Sequence, residues 1–261
     1  MDIIQSIIIG IVEGLTEFLP VSSTGHMIIA EKILGVPDSE FTKTFTVAIQ
    51  LGAILAVVVL YWKKFFNFSR WQFYTKLVVA VIPALVLGYL FANRIDALLQ
   101  STTTVIISMI LGGVVLLMID NYFKAPVIDS EDKIGFQKAF IIGVWQVIAM
   151  IPGVSRSAAS IIGGMQQRLT RRVAAEFSFL LAVPTMIAAT GYKLLKGYRA
   201  FSSHDVKILA IGNIVAFVVA VIAIKFFIGF LQKHGFKAFG YYRIIVGIVL
   251  LLLMIAGSLP V

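Results

Sequence analysis

The chain has 261 residues, of which 59% are hydrophobic and only 13% are charged. A soluble domain carries about 25% charged residues, so this composition excludes an ordinary soluble protein and indicates an integral membrane protein. The formal net charge of +9 comes from lysines and arginines in short loops, where they act as topology signals, so we expect no nucleic-acid partner. There is no cysteine, which excludes disulfides and thiol chemistry.

Six apolar runs are long enough to cross a membrane as helices, because a span needs about 20 residues. The runs lie at 44–62, 77–93, 103–121, 172–194, 208–231 and 240–258. No charged or Pro/Gly/Ser-rich linker separates them, so residues 1–261 are predicted to form a single all-α membrane domain.

Two further apolar stretches, 2–18 and 139–151, are too short to span a membrane and are each followed by a proline-containing break. A hydroxyl-rich turn and a second short apolar piece come next in both cases, at 24–35 and 157–167. Broken backbone at membrane depth is tolerated only where protein covers it or where it lines a wet cavity. We therefore predict two re-entrant helical hairpins.

Each half of the chain, about 1–125 and 134–261, then consists of one hairpin and three spans. Three is an odd number, so the second half enters the membrane upside down and the two halves form an inverted-topology repeat. A sequence repeat supports this interpretation, since a polar phrase recurs 133 positions later. The matched pairs are Gly10 and Gly143, Glu13 and Gln146, Val21 and Val154, and Ser22 and Ser155.

Glu13 and Glu17 are four residues apart, so a helix places both carboxylates on one face. Two like charges at this separation in a low dielectric repel and need a shared proton, a cation or a nearby base. A divalent cation that links them to phosphate oxygens is the usual magnesium arrangement. A solvated helix face is the alternative interpretation of this pair.

The first break continues with three hydroxyl residues and a histidine: Ser22, Ser23, Thr24 and His26. One hydroxyl suffices to cap a helix, so the group also indicates an anion site at a helix N-terminus. His26 could act as base, acid or nucleophile, or simply pack. Ser23 and Ser22 lie three and four residues before His26, so either serine can share its helix face.

The second break contains Gly153, Ser155, Arg156 and Ser157. The glycine allows close backbone approach, and either serine can cap the next helix. An arginine at membrane depth needs a counter-anion or a substrate, and its fork suits a pair of phosphate oxygens. An internal salt bridge from Arg156 to Glu13 or Glu17 is the alternative. Gln50, a polar residue within a span, is a further candidate to hydrogen-bond the site.

The phrases Glu13–His26 and Pro152–Ser157, together with the 44–52 stretch, closely resemble the signature motifs of the bacterial undecaprenyl-diphosphatase (bacitracin-resistance) family. The resemblance covers essentially the whole chain. One departure is Ala158, where the family often has glycine.

This resemblance implies hydrolysis of undecaprenyl diphosphate to the monophosphate, which recycles the lipid carrier for cell-wall synthesis, and bacitracin resistance on overexpression. It implies a divalent cation, Mg²⁺ or Ca²⁺, held at Glu13 and Glu17. It carries catalytic roles onto Glu13, Glu17, Ser23, His26 and Arg156. We expect Ser22, Thr24, Gln50, Gly153, Ser155 and Ser157 to bind substrate. The identity of the nucleophile (Ser23, His26 or water) stays open, as does the choice between a monomer and a homodimer.

The distribution of basic residues predicts the orientation in a bacterial plasma membrane, because cytoplasmic loops carry an excess of lysine and arginine. One set of loops is richer: Lys63, Lys64, Arg70, Lys76, Lys124, Lys133, Lys138, Arg168, Arg171, Arg172, Lys233, Lys237 and Arg243. The other set is poorer: Lys32, Lys43, Arg94, Lys193, Lys196, Arg199 and Lys207. The richer set is therefore placed in the cytoplasm, and the first hairpin opens outward.

Two other functions are considered. A transporter or flippase of the same lipid would also have an inverted repeat and broken helices. An intramembrane metalloprotease is disfavoured, because the sequence has no H-E-x-x-H or equivalent zinc spacing.

Overall fold

The computed structural model describes residues 1–67, 69–99, 101–123, 125–197 and 202–257. Lys124, Arg199 and position 258, where the last predicted span ends, lie outside the described residues. The described chain is helical, and its extended pairing is limited to one isolated bridge between Ile128 and Leu169. The helices are α1 (Ile3–Thr16), α2 (Ser23–Ile33), α3 (Glu40–Ala48), α4 (Gln50–Leu60), α5 (Trp62–Phe65), α6 (Trp71–Leu90), α7 (Ala92–Leu99), α8 (Thr102–Tyr122), α9 (Phe136–Ile148), α10 (Arg156–Gln166), α11 (Arg171–Gly197), α12 (Ser203–His234) and α13 (Lys237–Ile255).

Six segments of the described chain are long and apolar enough to cross a membrane, by length and composition. They are α3 with α4, α6, α8, the stretch Arg171–Gly191 of α11, α12 and α13. Each overlaps one predicted run, so the prediction of an all-α protein with six candidate spans is confirmed.

The second of these segments, α6, shows why charge is an imperfect boundary signal. The sequence predicts that the second span begins at residue 77, after Lys76, but α6 begins at Trp71. Lys76 is buried, and its ammonium group donates a hydrogen bond to the backbone carbonyl of Asp132 at 3.0 Å. The protein itself therefore solvates this charge, and the helix continues past it.

One pair of short helices precedes the spans in each half of the chain, α1 with α2 and α9 with α10. Helices α1 and α9 have 14 and 13 residues, which gives lengths of about 20 Å at 1.5 Å per residue. A hydrocarbon core is about 30 Å thick, so neither helix alone crosses it. Each packs against the helix that follows, α1 on α2 and α9 on α10.

Glycines bring these short helices very close to long ones from the other half. Gly10 of α1 faces the backbone carbonyl of Gly212 in α12, and its repeat partner Gly143 of α9 faces that of Ala80 in α6. A β-carbon at either position would overlap the facing backbone. Small residues at such crossings let helix backbones approach closely in a membrane.

Charged residues from several loops meet at one end of the bundle. Glu131 accepts from Lys64 and Arg70, and Glu176 accepts from Lys64 and Arg172. All three basic residues belong to the loop set that is richer in lysine and arginine. These ion pairs hold the loop between the two halves against the starts of α6 and α11.

Candidate active site

Both pairs of short helices are joined at a serine with an unusual backbone. Ser22 has φ 70° and Ser155 has φ 77°. A residue with a side chain is strained there by about 1–3 kcal/mol, and such strain is concentrated at functional sites. These are the two serines that the sequence repeat aligns. The first turn (residues 17–22) and the second turn (residues 149–155) therefore share a backbone geometry as well as a sequence pattern.

Glu17 connects the two turns. Its carboxylate is buried just after the end of α1. Oε1 accepts a hydrogen bond from Nη2 of Arg156 at 3.0 Å, and Oε2 accepts one from Oγ of Ser23 at 2.8 Å. One carboxylate thus binds the hydroxyl group that follows the first turn and the guanidinium group that follows the second.

Arg156 begins α10 and has a second set of contacts. Its Nη1 donates to the backbone carbonyl of Ser178 in α11 at 3.1 Å, and the guanidinium lies over the ring of Phe18 at 5.5 Å. Its Nε is buried without a hydrogen-bond partner in the described residues. Of the two ion pairs that the sequence left open, the structure has the one with Glu17. It also leaves one donor of Arg156 uncommitted.

Glu13 lies one turn before Glu17 on the same helix and is fully buried. Within the described residues both of its carboxylate oxygens lack a hydrogen-bond donor. A buried carboxylate without a donor is costly unless a proton or a cation compensates it. Its repeat partner Gln146 is also buried, but its amide nitrogen has a partner, since it donates to Oγ1 of Thr185 at 3.1 Å.

A cavity of about 160 Å³ lies between the two turns. Its predicted lining residues are Glu17, Ser22, Ser23, Thr24, Gln50, Gly153, Ser155 and Arg156, joined by Ala149, Met150, Pro152 and Met186. Eight of the eleven predicted site residues therefore surround one space. Glu13, His26 and Ser157 are not among its lining residues.

Ser155 and Ser157, at the junction of the second turn and α10, both hydrogen-bond to other groups of the protein. Ser157 is fully buried, and its hydroxyl donates to the backbone carbonyl of Leu19 in the first turn at 2.8 Å. Its single proton is then used, so the contact of 2.9 Å with Ser155 is donated by Ser155. Oγ of Ser155 also accepts from the backbone N–H of Ala158, as a helix cap. Ser157 thus links the turns from behind the cavity.

The two ring nitrogens of His26 have partners other than the Ser23 hydroxyl. Its Nδ1 lies 2.8 Å from the carbonyl of Ser22, which can only accept, so Nδ1 carries a proton. Its Nε2 lies 2.7 Å from the hydroxyl of Tyr242 in α13, and the two rings stack at 5.4 Å. Both nitrogens are engaged elsewhere. The Ser23 hydroxyl instead donates its hydrogen bond to the Glu17 carboxylate.

Comparison of the chain with known proteins shows which family it belongs to. The chain matches the family described as "Bacitracin resistance protein BacA" over residues 6–249. The chain belongs to this family. A protein of Flavobacterium psychrophilum named undecaprenyl-diphosphatase is 60% identical over 256 residues, covering 97% of this chain and 96% of the relative.

Relatives at lower identity carry the same name. One from Porphyromonas gingivalis is 52% identical, with 98% of each chain covered. One from Aquifex aeolicus is 47% identical, with 94% of this chain and 96% of the relative covered. The motifs that surround the cavity in this BacA family member therefore lie within a match that covers almost the whole chain.

Arg243 is the main residue that the sequence analysis assigned wrongly. The sequence pattern places it among the cytoplasmic loop charges, but it is the seventh residue of α13 and is fully buried. It donates to backbone carbonyls of both turns, at Pro20 (3.2 Å), Gly153 (2.7 Å) and Val154 (2.9 Å). The available signal was its position inside the predicted span 240–258, where a charge needs a partner.

Two other residues near the site were not predicted. Tyr242 contacts His26, and Ser178 supplies the carbonyl to Arg156 while its hydroxyl lies 2.7 Å from that of Ser160. Both lie in apolar helices far along the chain from the motifs. A single hydroxyl in such a helix gives no sequence signal of its own.

Proposed function

We propose that this chain is an undecaprenyl-diphosphate phosphatase of the bacterial plasma membrane. It would convert undecaprenyl diphosphate to undecaprenyl phosphate and inorganic phosphate, recycling the lipid carrier for cell-wall synthesis and giving bacitracin resistance. Relatives at 47–60% identity that span this chain carry the name undecaprenyl-diphosphatase. The structural observation that carries the proposal is the pairing of the Glu17 carboxylate with both Ser23 and Arg156 beside a cavity.

The second turn is suited to hold the phosphate. Arg156 has a free, buried Nε–H and a planar fork that matches phosphate oxygens. Its charge is balanced by Glu17 at 3.0 Å. A bound diphosphate would compete for this guanidinium and release Glu17 to act on Ser23.

The first turn is suited to supply the nucleophile. In the proposed reaction, the Ser23 proton passes to Oε2 of Glu17 as Oγ attacks the terminal phosphorus. The bond between that phosphorus and the bridging oxygen breaks, and undecaprenyl phosphate leaves with the electron pair. Water then hydrolyses the phosphoserine. The 2.8 Å hydrogen bond from Ser23 to Glu17 supports this role for the carboxylate, while direct attack by His26 or by water gives distinguishable outcomes below.

The acidic pair fits a divalent cation. Glu13 presents two buried carboxylate oxygens without donors, and Glu17 lies one turn further along the helix. No group of three or more His, Asp or Glu side chains suited to a metal occurs in the described part of the chain, so diphosphate oxygens would complete the coordination. A bound Mg²⁺ or Ca²⁺ would neutralise charge on the phosphate. A proton shared by the two carboxylates is the competing explanation.

We also propose that the two pairs of short helices are re-entrant hairpins of an inverted repeat. Packing supports a two-fold relation, because α1 packs on α12 as α9 packs on α6, and α4 packs on α12 as α11 packs on α6. The loop set richer in basic residues, which meets at one end of the bundle, would be cytoplasmic. The cavity would then open to the outer face. The molecular mass of the purified protein in detergent distinguishes a monomer from a homodimer.

Phosphate release by the purified protein tests the function directly. The wild-type chain should release one phosphate from undecaprenyl diphosphate, and Glu17→Gln should slow this release by at least about a hundredfold. If the wild-type protein moves the lipid across vesicles but releases no phosphate, the flippase alternative replaces the phosphatase.

A further inference from the structure

Arg243 is a fully buried cation without a carboxylate partner in the described residues. A guanidinium has five N–H donors, and here each has one backbone carbonyl as its acceptor. Nε donates to Met109, Nη1 to Pro20 and Val154, and Nη2 to Ser108 and Gly153, at 2.7–3.2 Å. Its hydrogen-bonding capacity is therefore completely used inside the protein.

The five carbonyls come from three separate parts of the chain. Pro20 belongs to the first turn, Gly153 and Val154 belong to the second, and the other two belong to α8. Gly112 of α8 lies directly against the guanidinium, where a β-carbon would collide with it. The side chain thus connects both turns to one rigid helix through a planar group with fixed angles.

The catalytic contact crosses between the same two turns. Glu17 begins the first turn, Ser23 follows it and Arg156 follows the second, so the relative position of the turns sets the distances between these groups. Ser157 adds only one direct hydrogen bond between the turns. Arg243 adds three, and it lies on the side of the turns that faces α8 and α13.

We infer that Arg243 is a positioning residue for the reaction: it fixes the two turns relative to each other and so holds Ser23 and Glu17 in register with Arg156. The catalytic part of this inference rests on the proposed function. A misplacement of about 1 Å at a reacting group can cost on the order of a hundredfold in rate. Loss of Arg243 should therefore reduce turnover well beyond its effect on folding.

The test compares Arg243→Gln and Arg243→Lys with Leu250→Ala. Leu250 is also fully buried on α13, but it packs in an apolar cluster with Val105 and Met109, and its side chain has no polar atom to hydrogen-bond the turns. Three properties are measured: melting temperature in detergent, kcat and KM for phosphate release, and a distance between the turns. For the distance, spin labels are attached to cysteines at the exposed positions Leu15 and Ile151 of this cysteine-free chain.

Folded Arg243→Gln should lose kcat by on the order of a hundredfold with a much smaller change in KM, and its distance distribution should broaden or shift. Arg243→Lys should do the same to a smaller extent, because an ammonium can satisfy at most three of the five carbonyls. Leu250→Ala should lower the melting temperature while keeping the distance and the kcat of the folded fraction.

A wild-type distance distribution in folded Arg243→Gln would overturn the inference, and so would a wild-type kcat. If the glutamine variant does not fold, the lysine variant decides by the same two readouts. The distance measurement needs no substrate. A wild-type chain without phosphatase activity would therefore refute the proposed function while the distance still tests the link between the turns.

Discussion

The carboxylate of Glu17 and the guanidinium of Arg156 lie 3.0 Å apart although 139 positions separate them in the chain. Glu17 follows α1 and Arg156 begins α10, and both helices are too short to span a membrane. Each of the two residues adjoins a turn with a strained serine. The ion pair therefore marks the place where the two repeated motifs meet.

Replacing Arg156 by lysine should be almost as harmful as replacing it by alanine. The guanidinium contacts Glu17 with one nitrogen, Ser178 with another and leaves a third free, and a single ammonium cannot reproduce this fork. Both variants should lose phosphate release by at least about a hundredfold, the scale for loss of a charge-stabilising group. Arg172→Lys, in an exposed ion pair with Glu176, is the matched control. A lysine variant with near-normal activity would mean that charge alone is sufficient.

Chelation should abolish phosphate release, and Mg²⁺ or Ca²⁺ should restore it. Glu13→Gln should weaken cation binding, measured by calorimetry, because it removes a carboxylate whose buried oxygens have no donor. Glu17→Gln should cost at least about a hundredfold in rate. Glu40→Gln, at an exposed position, serves as the control. Full activity in excess chelator would leave the acidic pair as a proton-sharing dyad.

Ser23→Ala should lose roughly several hundredfold or more of the activity, the behaviour expected for a nucleophile. Ser22→Ala should lose about tenfold or less, the scale of one hydrogen bond. Rapid quench should trap phosphoserine in the wild-type protein. Acid-labile phosphohistidine with an active Ser23→Ala variant would instead identify His26. Labelled oxygen from water in the phosphate of a single turnover, without any phosphoenzyme, would identify direct attack by water.

Tyr242→Phe should reduce phosphate release by about tenfold, because it removes one hydrogen bond to Nε2 of His26 and keeps the stacked ring. The pH dependence of kcat should change at the same time if His26 transfers a proton. Tyr241→Phe is the control, since the neighbouring ring is exposed. Unchanged kinetics in Tyr242→Phe would assign His26 to packing.

Single cysteines at Asp38 and Lys233 should react with a membrane-impermeant reagent from opposite sides of intact cells. Both positions are exposed, and they lie before the first span and at the end of α12. Asp38 should be labelled from outside. Reaction of both cysteines from the same side would contradict the proposed inverted repeat.

The sequence predicts most of this architecture because apolar length and proline breaks are local signals. The helices around both breaks begin and end within about three residues of the predicted pieces. Errors occur where a charge is solvated by the protein, as at Lys76 and Arg243, because the acceptors are carbonyls far away in the chain. The site shows the same limit. Glu17 and Arg156 come from motifs, whereas the contact between His26 and Tyr242 depends on how α13 packs.

The carbonyl cage of Arg243 has an electrostatic consequence for what can enter the cavity. Glu13, Glu17 and Arg243 are buried around the two turns, and the side chain of Arg156 is 12% exposed. With both carboxylates ionised, the formal charges of these four residues sum to zero. A diphosphate therefore meets an electroneutral protein that has no surplus positive charge to offer it. Such a site favours an anion accompanied by its own counter-ion over a bare one. We expect the affinities for diphosphate and for a divalent cation to rise together, each ligand strengthening the binding of the other to the same extent.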